Sequence, residues 1–139
     1  MAIVQTQTTS FKAELYQAVH NLLTDTLKIA LYTANANLNA DTTVYSSANE
    51  VPNTGTYMAG GAQLTGVTIN TFDYTAYVNF NNVTWTAAIT ARCALIYNVS
   101  KSNKAIAVLD FGADKTSTTT FLITMPQNTS TTALIRSSN

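Results

Sequence analysis

The chain has 139 residues with seven basic and seven acidic side chains, which give a formal net charge of zero. This length fits one domain, and the balanced charge argues against nucleic acid as a partner, because neutralising phosphates requires an excess of Lys and Arg. Charged residues make up 10% of the chain, against roughly 25% in typical soluble domains. The composition fits a protein covered by neighbours in an assembly and, equally, a neutral Thr-rich β fold.

The N-terminal segment MAIVQTQTTS contains neither the basic region nor the apolar core of a signal peptide. No stretch of the chain approaches 18 consecutive apolar residues. We therefore expect synthesis in a cytosol and no membrane partner. Residues 1–9 are predicted to form an N-terminal arm, and residues 10–139 a single domain.

An amphipathic helix is predicted over about residues 11–23, with Ser10 as its cap. The apolar residues that recur at helical spacing and define its buried side are Phe11, Leu15, Val19 and Leu22. The following segment, TLKIALYT, alternates apolar and other residues from Leu27 to Leu31, which is typical of a half-buried strand.

The chain is polar over about residues 33–61, which predicts a long surface loop with one short strand near Val44. A loop of this length commonly contacts a partner. The alternative is a meandering loop that packs on its own apolar side chains, Tyr45, Val51 and Tyr57.

Short strand-like segments follow one another closely through the second half of the chain. This arrangement predicts antiparallel pairing of neighbouring strands. They are Gln63–Asn70, Phe72–Phe80, Val83–Thr86, the two arms of a hairpin within Ile89–Phe111, Phe121–Met125 and an edge segment Ala133–Arg136. The predicted fold is mainly β: a two-layer antiparallel β-sandwich, jelly-roll-like, or a flattened barrel, with one N-terminal α-helix.

The hairpin within Ile89–Phe111 carries apolar residues on both faces, so we expect it to be covered on both sides, by a second layer of the fold or by a neighbouring subunit. Cys93, the single cysteine, is predicted to share a face with Ala91 and Leu95 and to be shielded from solvent. A lone cysteine provides no intramolecular disulfide and no zinc cluster.

No residue pattern in the chain predicts catalysis, a cofactor or a metal. His20 is interpreted as a solvated or locally hydrogen-bonded helix residue. Asp110 and Asp114 lie on either side of Gly112. We interpret them as a turn capped by its own side chains, because such turns are more common than a Ca²⁺ site or an acid–base pair. We therefore predict that the protein is not an enzyme.

Aromatic side chains are the other candidates for function, as a stacking platform for sugars or as anchors for a protein partner. The candidates are Tyr45, Tyr57, Tyr77 and Trp85. Core packing is the preferred interpretation for Trp85.

Several segments together resemble a group of small all-β structural proteins of tailed bacteriophages. They are FKAELYQAVHN, DTLKIALYTANANLNADTTVYSSANEV, TGTYMAGG, AYVNFNNVTWTAAITARCALIYN and NKAIAVLDFGADKT. The resemblance covers about Ser10 to Pro126, and Cys93 departs from it where a small residue such as Gly is expected. It implies a virion component, either a capsid decoration (cement) protein or a tail or fibre part, and it implies no catalytic residue.

The main functional hypothesis is a capsid decoration protein that binds and stabilises the lattice of the major capsid protein and also contacts copies of itself. The arm and the long loop would make these contacts, with Ile3, Val4, Tyr45, Val51 and Tyr57 as the predicted partner-binding residues. The alternative is a tail, fibre or baseplate module that contacts other virion proteins or host surface glycans. The expected location is the virion, after synthesis in the cytoplasm of a bacterial host.

Overall fold

The computed structural model describes residues 3–138, and over this range the chain is mainly β with one α-helix. In chain order the elements are β1 (Thr6–Gln7), α1 (Thr9–Tyr16), β2 (Leu27–Tyr32), β3 (Ala62–Gln63), β4 (Thr68–Phe72), β5 (Thr75–Asn79), β6 (Val83–Trp85), β7 (Thr90–Asn98), β8 (Lys104–Thr116), β9 (Phe121–Ile123) and β10 (Ile135–Ser137). A turn of 3-10 helix, Val99–Lys101, connects β7 to β8.

The strands form three antiparallel sheets. The largest has the order β1-β8-β7-β2-β3, the second β10-β5-β4, and the third pairs β6 with β9. Over residues 3–138 the sheets are not closed into a barrel. The predicted mainly antiparallel β-sandwich with one N-terminal helix is confirmed, and the flattened-barrel alternative is wrong.

The five-stranded sheet is buried on both faces, and each face has its own apolar cluster. The larger cluster lies between this sheet, the helix and the two smaller sheets, and it includes Phe11, Ile29, Ile96, Trp85 and Phe121. This cluster is the interior of the sandwich, and its burial is the main contribution to stability.

The smaller cluster lies on the opposite face of the five-stranded sheet. It joins strand residues such as Cys93 and Leu95 to Ala36 and Leu38 of the long loop. Ile3 and Tyr45 pack against it and are partly buried. The two-sided cover predicted for the β7–β8 hairpin is therefore supplied by the chain itself.

The N-terminal segment is part of the domain over the residues that the structure describes. β1 pairs with β8, with Thr6 opposite Val108. Thr8 is fully buried, and its hydroxyl accepts a hydrogen bond from Phe11 N–H and donates one to Ala105 O. Met1 and Ala2 of the predicted arm lie outside the described residues, and the boundary predicted after residue 9 is corrected, since residues 3–9 belong to the fold.

The helix is shorter than the predicted residues 11–23. It is capped by Thr8 and ends at Tyr16, with Ala18 at a φ of 58°. Beyond it, the side chains of Asn21 and Asp25 hydrogen-bond to nearby backbone N–H groups. Such local side-chain hydrogen bonds compete with the backbone hydrogen bonds of a helix. The helical spacing of apolar residues therefore continues in the sequence after the helix itself has ended.

Cys93 is fully buried, as predicted. It shares the smaller cluster with Leu95, whereas Ala91 belongs to the larger one. The β7–β8 register shifts between Ala91 and Cys93, and an irregularity of this kind moves the residues before it to the other face. The predicted common face for Ala91 and Cys93 is therefore wrong.

Burial raises the pKa of the Cys93 thiol to about 12, and the Asp110 carboxylate adds to the rise. Because the thiolate is the reactive form, we expect a polar thiol reagent to label Cys93 slowly in the folded protein and rapidly in denaturant. The exposed residue Thr118, replaced as Thr118→Cys, provides the matched control. Equal labelling rates at the two positions in the folded protein would contradict the buried position of Cys93.

Candidate functional site

The first two predicted partner-binding residues lie along the edge of the smaller cluster. Ile3 is half-buried and forms a parallel bridge with Leu38. Val4 is 51% exposed, and its backbone N–H donates to Leu38 O. Ile3 therefore holds the N-terminal segment against the long loop, and Val4 keeps a side chain available at the surface.

The other three predicted partner-binding residues surround Glu50 in the long loop. Tyr45 donates from its hydroxyl to Glu50 Oε1 at 2.6 Å, and Tyr57 donates to Oε2 at 2.7 Å. Val51 and Tyr57 are buried in the larger cluster. The structure corrects their predicted role, because neither side chain is exposed to a partner.

The Glu50 carboxylate connects the loop to the central sheet. It also accepts the backbone N–H of Gly60 at 2.7 Å, while Leu31 N–H of β2 donates to the Tyr57 hydroxyl at 2.8 Å. Burial raises the pKa of Tyr45 and Tyr57 above the ordinary tyrosine value, and the neighbouring negative charge of Glu50 also raises both. This cluster fastens the loop and keeps both phenols protonated.

His20 lies after the helix, where it is buried rather than solvated. Its Nε2 is 2.9 Å from Glu14 Oε1, and its Nδ1 is 2.9 Å from Asn98 Nδ2. The Asn98 amide group also donates to Asp25 Oδ2 at 2.8 Å. Since an amide nitrogen donates, Nδ1 accepts and Nε2 donates to the carboxylate, so both ring nitrogens are used in connecting the helix end to the β7–β8 hairpin.

Asp25 completes this polar network at its outer side. Burial acts to raise its pKa, but the hydrogen bonds from Asn98 and from Asn21 N–H, with the charge of Lys101, hold that pKa below its ordinary value. The Lys101 ammonium lies 3.6 Å from the Asp25 carboxylate. The ionised form of Asp25 is thus stabilised by the chain around it.

The predicted turn at Asp110, Gly112 and Asp114 is wrong, because β8 continues to Thr116. Asp110 accepts Gly112 N–H at 2.9 Å and lies 3.4 Å from Arg92 Nε. Within residues 3–138, no group of three or more His, Cys, Asp or Glu is placed to hold a metal ion.

The four aromatic residues predicted as a platform are not exposed together, since two are buried and two, Tyr45 and Tyr77, are partly buried. Trp85 and Tyr57 are buried in the larger cluster, with ring centroids 5.4 Å apart, and Tyr45 stacks on Tyr97 at 4.6 Å. Core packing of Trp85 is confirmed. The sequence patterns missed the aromatic residues that are well exposed, Tyr16, Phe72 and Tyr74.

A groove lined by both apolar and polar residues lies between α1 and the β10-β5-β4 sheet, with a volume of about 920 Å³. Leu15 and Tyr16 line it on the helix side, 41% and 94% exposed, and Ile69 lines it on the sheet side at 47%. Lys12 and Arg136 also line it. The groove offers apolar contact area with two cationic groups, which suits an apolar segment with a carboxylate beside it.

Strand β4 forms the outer edge of this sheet, and all five of its residues are exposed. Ile69 faces the groove, whereas Phe72, three residues along the strand, lies on the opposite face of the sheet at 65% exposure. Tyr74, in the hairpin turn, is 91% exposed. The sequence predicted strands over Gln63–Asn70 and Phe72–Phe80, whereas the turn lies at Asp73 and Tyr74, both with positive φ. Without a glycine, this turn gave no sequence signal.

Comparisons of the chain with protein-family models, with curated proteins and with solved structures find no match. In the described part of the chain, none of the helical structure has the length and apolar character needed to cross a membrane. The candidate site is therefore defined by its own geometry: a groove with exposed apolar side chains, bordered by an uncharged edge strand.

Proposed function

We propose that this chain is a non-enzymatic structural protein of a bacteriophage virion, a capsid decoration protein that binds the major capsid lattice in many copies and stabilises it. The observation that carries the proposal is the set of exposed apolar side chains in the groove between α1 and the β10-β5-β4 sheet. Leu15, Tyr16 and Ile69 are large apolar side chains left exposed on the surface of a small folded domain. Contiguous exposed apolar surface is typical of a protein-binding site.

The proposed assignment to a virion rests on the resemblance that the segments quoted above suggest to small structural proteins of tailed bacteriophages. The low charge supports a surface that is covered by protein, since seven acids and seven bases leave few groups to desolvate on binding. Lys12 and Arg136 at the groove would pair with carboxylates of the capsid subunit. Nucleic acid and membrane are not among the proposed partners.

Leu15→Glu tests the groove directly. Because it places a carboxylate in an interface expected to be apolar, we expect it to weaken binding to purified shells lacking this protein by at least about tenfold. Leu122→Glu is the matched control, because Leu122 is 55% exposed on β9, outside the groove. Circular dichroism verifies that both variants fold, and equal shell occupancy by the two variants would overturn the role of the groove.

Deleting the N-terminal segment would not test the capsid contacts predicted for it. The segment supplies β1, and Thr8 caps the helix from a fully buried position. Removing residues 1–9 would destabilise the domain together with any contact that the segment makes. Point variants at exposed residues such as Val4 avoid this difficulty.

The second candidate is a tail, fibre or baseplate module that binds other virion proteins or host surface glycans. It is favoured by the exposed aromatic rings of Tyr16, Phe72 and Tyr74, which could stack on sugars. Quantitative mass spectrometry of purified virions separates the two candidates. A decoration protein should be present in hundreds of copies, at a small whole-number ratio to the major capsid protein, whereas a tail component should be present in far fewer.

A further inference from the structure

Strand β4 has a free edge that is equipped to pair with another strand. Within the described residues it pairs along one side with β5, in an unbroken register from Thr68↔Asn79 to Phe72↔Thr75. Edge strands are commonly protected by lysine, proline, a bulge or a covering segment. The sequence of β4, TINTF, contains no charge and no proline, and all of its residues are exposed.

The hairpin turn determines which backbone groups of β4 face outward. Asp73 and Tyr74 have φ values of 48° and 72°, which is the pattern of a two-residue type I′ turn. Such a turn is closed by a hydrogen-bonded pair, here Phe72 and Thr75, and hydrogen-bonded pairs alternate along an antiparallel ladder. The N–H and C=O groups of Ile69 and Thr71 therefore point away from β5 toward the free edge.

We propose that two copies of this chain associate through β4, pairing antiparallel about a two-fold axis at Asn70. In this register Ile69 of one copy lies opposite Thr71 of the other, so the outward backbone groups of both residues form four main-chain hydrogen bonds. Phe72 lies opposite Thr68, an aromatic–β-branched pair that favours strand association. The two three-stranded sheets become one sheet of six strands.

The charge distribution favours a second copy as the occupant. The chain has no net charge, so two copies approach without overall repulsion. Asp73, which follows β4 directly, falls opposite Val67 of the other copy, so the two carboxylates lie at opposite ends of the joined strands. The pairing is isologous, and a closed dimer of this kind leaves no free β4 edge for further growth.

The pairing would also bring the grooves of the two copies together. Ile69 and its cross-strand neighbour Val78 both line the groove. A two-fold axis perpendicular to the joined sheet keeps corresponding faces on the same side, so both grooves lie side by side on one surface. This inference stands on the β4 geometry and does not require the proposed capsid role.

A cysteine at the two-fold axis tests the register. Asn70 faces Asn70 of the other copy as a non-hydrogen-bonded pair, with Cα atoms about 4.5 Å apart, within the range that a disulfide spans. We expect Asn70→Cys to form an intermolecular disulfide under mild oxidation. Thr68→Cys is the matched control, because the two copies of position 68 would lie about 13 Å apart along the strands.

The association itself is measured on the full chain by sedimentation equilibrium over a concentration series. Thr71→Pro removes an outward N–H without affecting the β4–β5 hydrogen bonds, and Ile69→Lys places a charge at the edge. We expect each to raise the dimer dissociation constant at least tenfold, whereas Leu122→Lys, on β9, leaves it unchanged. Ile69→Lys keeps the test valid if Thr71→Pro does not fold.

Three results would overturn the inference. The first is a wild-type chain that stays monomeric up to about 1 mM. The second is a dimer that survives Ile69→Lys or forms disulfides equally well from Thr68→Cys. The third is a monomer whose shell binding is lost in Thr71→Pro, because β4 would then pair with a strand of the capsid subunit. Since no virion enters the first two measurements, they are independent of the capsid proposal.

Discussion

Replacing Gly61 with alanine is expected to lower the free energy of unfolding by about 4 kcal/mol, from left-handed strain and forced overpacking combined. Gly61 has a φ of +82°, and an added Cβ would lie 1.8 Å from Ile29 O and 2.8 Å from Ala30 Cα. Both atoms belong to the backbone of β2, which is paired on both sides and cannot move away. The loop end that leads into β3 would therefore be displaced from the sheet.

Gly112→Ala is the matched control for this prediction. Gly112 has a nearly equal φ of +80°, and no atom of residues 3–138 outside its chain neighbours lies within 4 Å of the position its Cβ would occupy. Gly112→Ala should lower the free energy of unfolding by about 1 kcal/mol, because only backbone strain is added. Urea unfolding followed by the fluorescence of buried Trp85 measures both variants, and equal losses would show that the close approach of Gly61 to β2 does not contribute to stability.

The second large effect is expected at Glu50, where Glu50→Ala should lower the free energy of unfolding by about 3 kcal/mol. The substitution removes the shared acceptor of the Tyr45 hydroxyl, the Tyr57 hydroxyl and Gly60 N–H. Tyr57 can still donate to Leu31 O, which lies 3.4 Å away. Because this partner remains, the expected loss of stability is smaller than the sum of three charge-assisted hydrogen bonds.

Two further variants define the contribution of the Glu50 cluster. Tyr45→Phe removes one hydrogen-bond donor and should lower the free energy of unfolding by about 1 kcal/mol. Asp41→Ala removes an exposed acid of the same loop and should change stability by less than about 0.5 kcal/mol. Loosening of the loop should also speed thiol labelling of Cys93, so an unchanged labelling rate in Glu50→Ala would indicate that the loop is held by other contacts.

The parts of the fold predicted correctly are those in which one strand periodicity continues over many residues. The alternation from Leu27 to Leu31 is confirmed as strand β2. The two arms of the hairpin predicted within Ile89–Phe111 are confirmed as β7 and β8. The uninterrupted apolar sequence of the hairpin arms predicted the burial of β7 and β8 on both faces. The half-buried position predicted for β2 from its alternation is wrong, because its residues are buried on both faces of the sheet. The helix end was missed because the apolar spacing runs past Tyr16, while the side-chain bonds of Asn21 and Asp25 end the helix.

The candidate site was less predictable, because burial in a polar loop depends on tertiary contacts. Val51 and Tyr57 are surrounded by polar residues in the sequence, and nothing local indicates that Glu50 holds two phenols. The exposed groove has the opposite difficulty. Leu15 and Ile69 are apolar, so the sequence does not distinguish them from core residues. They are exposed because the helix ends and the sheet stops beside them.

The long loop that covers the second face of the central sheet has a consequence for assembly. Because Leu38 and Tyr45 complete the smaller cluster from within the same chain, the domain completes this packing without another molecule. In the proposed virion role, joining the shell would then cost little ordering entropy, in contrast to segments that fold as they bind. Under that proposal the folded chain would accumulate free in solution and attach late, after the shell has been built.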